Sequence, residues 1–306
     1  MKVSSSMEEI FEDFLLTKKS TGLSDKTLIT YKQHFSAIKR HLSVEKPIES
    51  MERQDLERMI SSMRDAGLAS TSIQSYTRTL KTFFTWCNGE GITNLNLSRY
   101  RSHESIKDTY TDKELELLLK KPNMRQCKFS EYRNWVIINL LLNNGCRAAS
   151  IRNIKNKDVD LTNQVIYLRH TKNKKSQTIP LCSMLCAILS EYMRIRGGSE
   201  DDYLFSNDMG EQMTEYCLKN TIAKYNKRRG VQKTSIHMFR HTFTKKYLVD
   251  CGGNAFTLQR LLGHSTLEMT KHYCAIFDSD ITKNYDKFSP LTNFKSKSER
   301  IKMNKI

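Results

Sequence analysis

Residues 261–273 read LLGHSTLEMTKHY. Ser265 and Glu268 stand three apart as an S-x-x-E capping box, so a helix is expected to open there and to carry Tyr273. Tyr273 follows His264 by nine residues. A tyrosine on such a helix is ordinarily a core residue. The Gly263-His264 pair ahead of it makes nucleophilic chemistry the alternative to weigh.

Upstream lies His237-Met238-Phe239-Arg240-His241. Spacing of three puts His237 and Arg240 on one face of a helix, with His241 near that face. Alone this string is weak, because most His/Arg pairs on helices are structural or solvated. His237 and His241 also have the i, i+4 spacing of zinc ligands. They lack the intervening Glu of a metalloprotease helix and a nearby acidic third ligand, so a metal is not expected. Two further strings precede these, NNGCRAASI with Arg147 and TKNKKSQTIPL with Lys172, Lys174 and Lys175.

The surrounding chain sets the fold class. Residues 10–15, 28–42, 56–63 and 73–84 carry apolar positions at three-four spacing, which predicts a four-helix N-terminal bundle. Ser24 and Ser70 are the expected caps of the second and fourth helices, and Gly67 the end of the third. The periodicity breaks at residues 89–108. Thr111 and Glu114 form another capping box. Trp135–Leu142 is apolar almost all round, hence a buried central helix leading into Gly145-Cys146-Arg147. Residues 159–161, 165–168 and 178–181 are β-prone, with a lysine-rich hairpin tip at 170–177. Helices are expected again at 183–196, 215–229 and 236–251. The class is mainly α with a small antiparallel β-sheet.

Composition narrows the partners. The 306-residue chain carries a formal charge of +17, of which residues 1–107 hold +3 and residues 108–306 hold +14. Such a surplus points to a polyanion, nucleic acid or anionic lipid. Lipid is disfavoured, since no basic amphipathic helix carries a Trp/Phe-rich face. The most apolar stretch is too short to span a bilayer and contains Asn139, and the polar, acidic start at residues 1–12 is unlike a signal peptide. Eight cysteines lie singly, with no CxxC pair, which fits free thiols in a reducing cytoplasm.

Taken together and in order, Arg147, Lys172, HMFRHTF and LLGHSTLEMTKHY resemble the motifs of the tyrosine recombinase (phage integrase) family. The likeness covers about residues 130–290, and the preceding bundle resembles that family's core-binding domain. The resemblance implies a SAM-like helical domain over 1–100, a linker over 101–110, a catalytic domain over 111–290 and a basic tail over 291–306. It implies Tyr273 as the nucleophile that forms a 3′-phosphotyrosyl bond with DNA. Arg147 and Arg240 are implied as guanidinium clamps on the phosphate, whose forked donors match its oxygens. His237 is implied as the proton-transfer residue, His264 as a hydrogen-bond donor to phosphate, and Lys172 as the acid for the leaving 5′ oxygen, with Lys174 and Lys175 as rivals.

These cations supply the charge that Mg²⁺ supplies elsewhere, so no cofactor is expected, and the chain lacks a GxxxxGK[ST] loop for ATP. The implied partners are double-stranded DNA and, in a synaptic complex, three further copies of the chain. Lys26, Lys32, Arg78 and Lys81 on the N-terminal bundle, with Lys174, Lys175 and His241, are candidate DNA contacts or ordinary solvated groups. One departure stands out: Ser150 occupies the place, three after Arg147, where the family usually has an acidic residue. With no room before residue 7 for an arm-site-binding domain, a simple bipartite enzyme is expected, with a mobile-element role slightly favoured over dimer resolution. A type IB-like topoisomerase and a DNA-binding regulator without catalysis are the alternatives.

Overall fold

The computed structural model describes residues 6–44, 46–98, 100, 108–169, 176–264 and 266. The chain divides into two compact units, Met1–Ser105 and Ile106–Ile306. Among the described residues no helix is long and apolar enough to cross a membrane.

The first unit is a bundle of α1 (Met7–Ser20), α2 (Asp25–Ile38), α3 (Arg53–Asp65) and α4 (Ser70–Gly89). The expected apolar stripes meet in its core, where Phe11 stacks on Phe35 with ring centroids 3.9 Å apart and meets Phe83 edge-on. Ser24 caps α2 as its sequence position implies. Gly67, at φ +72°, takes the left-handed turn that ends α3. Ser70 is not a cap. Ala69 precedes α4, so Ser70 is already inside the helix, where its hydroxyl lies 3.4 Å from Tyr100 Oη.

The second unit is built around α6 (Phe129–Asn144), whose residues Val136, Ile137, Ile138, Leu140 and Leu141 are fully buried. It is packed by α5 (Asp112–Leu119), α8 (Ser183–Arg196), α9 (Glu215–Arg228) and α10 (Ile236–Lys245). Being surrounded is why α6 carries apolar residues on every face. The Thr111/Glu114 box closes reciprocally at the start of α5. A short α7 (Ala148–Arg152) follows Arg147, and α11 (Ala255–Leu262) follows α10.

The sheet consists of β1 (Val159–Asp160), β2 (Val165–Leu168) and β3 (Gln177–Pro180), antiparallel in the order β1-β2-β3. Gln177 pairs with Leu168, so it belongs to the strand and not to the hairpin tip as its polarity suggests. The helix expected over 236–251 changes pitch: Lys246–Asp250 form a π turn, with Cys251 N donating to Lys246 O at 2.9 Å. Lys246 bridges Asp112 and Asp250 there. A residue inserted into helix register has no signature in apolar spacing.

Candidate active site

The last carbonyls of a helix have no partners within it. Those of α11 organise the site. Gly263, at φ +60°, turns the chain so that its N–H donates to Arg260 O and His264 N donates to Gln259 O, at 3.1 and 3.0 Å. Gln177 Nε2 donates to Arg260 O at 2.9 Å and to Leu261 O at 2.7 Å. Arg240 Nη2 donates to Leu262 O at 2.9 Å. Both terminal nitrogens of Arg147 reach Gly263 O at 3.4 Å. Three distant side chains thus converge on one turn, and the two cations sit at the negative end of the helix dipole.

Arg240 is 3% exposed and donates to two more acceptors, Gly145 O at 2.9 Å and His264 Nε2 at 2.7 Å. These three acceptors are neutral, and together they fix the guanidinium plane. The Gly145 carbonyl belongs to the turn that ends α6 and leads to Arg147. Gly145 has φ +60°, and a Cβ there would stand 2.6 Å from Phe243 Cδ1. Only glycine fits both the conformation and the space. One backbone turn therefore holds Arg240 and presents Arg147, which is half-buried at the N-cap of α7.

His264 is held well below its ordinary value, at about 4, by burial first and then by Arg240 and Arg147. The ring is neutral at physiological pH. Since a guanidinium only donates, Nε2 is the acceptor and Nδ1 carries the proton. His264 therefore enters the site as a neutral group that carries its proton on Nδ1.

His237 is exposed in the first turn of α10, one turn before Arg240, and its ring meets that of half-buried His241 edge-on at 4.9 Å. Among the described residues no group of three His, Cys, Asp or Glu side chains is placed to hold a metal. Cys146, beside Arg147, is buried, and burial pushes its thiol up to about 12, so it stays protonated and inert as a nucleophile.

Ser150 is buried in α7 and its N–H donates to Arg147 O at 2.9 Å. It supplies no charge to the arginine, and the Gly263 carbonyl is one acceptor that orients Arg147 instead.

Tyr273, Lys172, Lys174 and Lys175 lie outside the described residues, as does the Ser265/Glu268 box. Both flanks of the 170–175 segment are anchored. On one side Arg169 Nε bonds the buried Asp158 at 2.6 Å, and Asp158 also accepts from Lys155 N. On the other side stands Gln177. A separate concavity of about 570 Å³, lined by Lys155, Lys157, Asp158, Arg169 and Tyr203 among others, includes none of the motif residues. Lys155 and Lys157 there both pair with Asp201, so it is a less convincing anion site than the Arg147–Arg240 turn.

In the N-terminal unit Lys26, Lys32, Arg78 and Lys81 are all exposed. Lys32 pairs with Glu12 at 3.1 Å, which diminishes its pull on a phosphate. Sequence reading missed Gln177 and α11 altogether. Asn254, whose side chain caps α11 through Phe256 N and Thr257 N, and Gly263 at the other end are the signals that could have located that helix.

The model of the Phage integrase family matches residues 108–279, and that of the phage integrase N-terminal SAM-like domain matches residues 10–91. The chain is 27% identical to the tyrosine recombinase XerC of Thermodesulfovibrio yellowstonii, over 90% of this chain and 94% of that one. It is 25% identical to the tyrosine recombinase XerD of Staphylococcus haemolyticus, over 93% and 99%. Among solved structures, the Tn1549 transposon integrase in complex with transposon right end DNA superposes with a TM-score of 0.75 at 20% identity, over 93% of this chain and 99% of that one. A lambda integrase from a tetramer bound to a Holliday junction gives 0.71 at 20% identity, over 89% and 78%.

Proposed function

This chain belongs to the phage integrase family of tyrosine recombinases, and from that premise we propose that it cuts and rejoins double-stranded DNA at specific sites through a 3′-phosphotyrosyl bond at Tyr273. The observation that carries the proposal is the convergence of Arg147, Arg240 and His264 on one helix terminus, nine residues before that tyrosine.

In this reading the Tyr273 oxygen attacks the scissile phosphorus and a 5′ oxygen departs. Arg147 and Arg240 bind the non-bridging oxygens, and the Nδ1–H of His264 donates to one of them. A phenol is mostly protonated at neutral pH, so Tyr273 needs a proton acceptor, and exposed His237 serves. Lys172 protonates the departing oxygen. The covalent bond conserves the energy of the broken strand, so religation needs no ATP. Two duplexes must be held together, which four copies of the chain on DNA accomplish. The +14 charge of residues 108–306 and the exposed Lys26, Arg78 and Lys81 support DNA as the ligand.

The test uses a nicked duplex whose cleaved fragment diffuses away. The parent chain should accumulate an adduct that survives detergent, and Tyr273→Phe should form none while keeping its DNA affinity. An adduct in Tyr273→Phe would remove Tyr273 from the role. No adduct from the parent chain would leave a DNA-binding regulator, and cleavage without exchange between two sites would indicate a topoisomerase.

A further inference from the structure

We infer that Gln177 is a positioning residue that holds the α11 terminus in the register at which Arg147, Arg240 and His264 meet. The inference rests on the catalytic reading of those three residues given above. Gln177 is the first residue of β3, and its backbone place is set by pairing with Leu168. From there its amide reaches a different element and donates to two successive carbonyls, Arg260 O at 2.9 Å and Leu261 O at 2.7 Å. The next two carbonyls along, Leu262 O and Gly263 O, are those taken by Arg240 and Arg147. Four consecutive carbonyls are thus shared between one neutral amide and two cations. The amide fixes the turn to the sheet, and the cations then find their acceptors already in place.

The packing is close on the other side of the amide as well. A Cβ added to Gly263 would stand 2.7 Å from Gln177 Oε1 and 3.7 Å from Arg147 Nη1. Gln177 and Arg147 therefore flank the same glycine. Neutrality matters at this position. A carboxylate there would offer Arg147 a competing anion and would face two carbonyl oxygens it cannot bond. A side chain without N–H groups would leave Leu261 O without this donor and free the turn from the sheet. Displacement of a catalytic group by about an ångström costs up to about 10²-fold in rate, so a residue that touches no reacting atom can still govern the chemistry.

The experiment uses Gln177→Met, which keeps length and removes the donors, in the full chain. Two readouts are taken. The first is the titration of the His264 ring followed by nuclear magnetic resonance without DNA, which does not depend on which residue cleaves. The second is the rate of covalent adduct formation at saturating DNA, alongside DNA affinity. In Gln177→Met the His264 titration should move upward toward the ordinary 6.5 as water reaches the loosened turn. Adduct formation should slow about ten- to a hundredfold, with affinity unchanged. A His264 titration identical to the parent in Gln177→Met overturns the inference. So does adduct formation at the parent rate. If Tyr273→Phe still forms adduct, the catalytic reading fails, and the His264 titration decides the role of Gln177 separately.

Discussion

Arg240 donates from Nη2 to His264 Nε2 across 2.7 Å, and the two are the partners that define the charge state of the site. The bond dictates a neutral imidazole protonated on Nδ1, because protonation of Nε2 would set two donors against each other. Burial is the larger penalty for a charged ring, and Arg240 and Arg147 add to it.

The pH dependence of folding follows from that depression. A histidine whose folded value is about 4 and whose unfolded value is near 6.5 takes up its proton more readily when unfolded. Its contribution to stability is complete above pH 6.5 and is lost as the pH falls toward 4. In a Trp86→Phe background, fluorescence of Trp135 reports on the second unit. Denaturant midpoints should fall between pH 6.5 and 4, and His264→Gln should flatten that fall. An unchanged slope in His264→Gln would assign the effect to other groups.

Gly263→Ala tests the turn itself. An L-residue in the left-handed region costs about 1–2 kcal/mol, and the new methyl would press on Gln177 Oε1. The second unit should lose about that stability. Adduct formation should fall further than stability accounts for, because the carbonyls that hold Arg147 and Arg240 shift together. Cleavage at the parent rate in a variant that is measurably less stable would show that the turn does not position the arginines.

Arg240→Lys tests the guanidinium fork. A lysine keeps the charge but cannot present planar donors to Gly145 O, Leu262 O and His264 Nε2 together. Buried acceptors left without a donor cost about 1–3 kcal/mol each. By analogy with a lost oxyanion donor, cleavage should slow about 10²–10³-fold. Single-turnover adduct formation measures it, and parent-like rates would mean that charge alone suffices.

Lys172→Ala tests the leaving group. It should slow cleavage about 10²–10⁴-fold, as loss of a general acid does. A substrate with sulfur in place of the bridging 5′ oxygen leaves without protonation and should restore the rate. The same substrate should not rescue Arg147→Ala, whose defect lies at the non-bridging oxygens. Rescue of Lys174→Ala or Lys175→Ala, with Lys172→Ala still slow, would move the acid to that neighbour.

Much of the architecture is legible in residue spacing. The apolar stripes of α1–α4, the capping box at Thr111, the all-round apolar α6 and the strands on either side of the lysine-rich hairpin are local properties, set by periods of 3.6 and 2 and by turn chemistry. Ser70 failed as a cap because the helix starts one residue earlier, and its hydroxyl lies 3.4 Å from Tyr100 Oη. The π turn at Lys246–Asp250 escaped because a residue inserted into helix register leaves no mark in apolar spacing.

The motif strings singled out Arg147, His237, Arg240 and His264 as candidates from the sequence alone, because a reacting group must be a particular side chain at a particular place in the chain. The coordinates were needed for how three of those four are held. Gln177 reaches Arg260 of α11 across 83 residues of sequence, Arg147 reaches Gly263 across 116, and the atoms they bond are main-chain carbonyls. Every residue has such a carbonyl, so no residue type marks these acceptors in a sequence. They become distinct only when folding leaves one helix terminus without its own donors and brings a glutamine and two arginines to it.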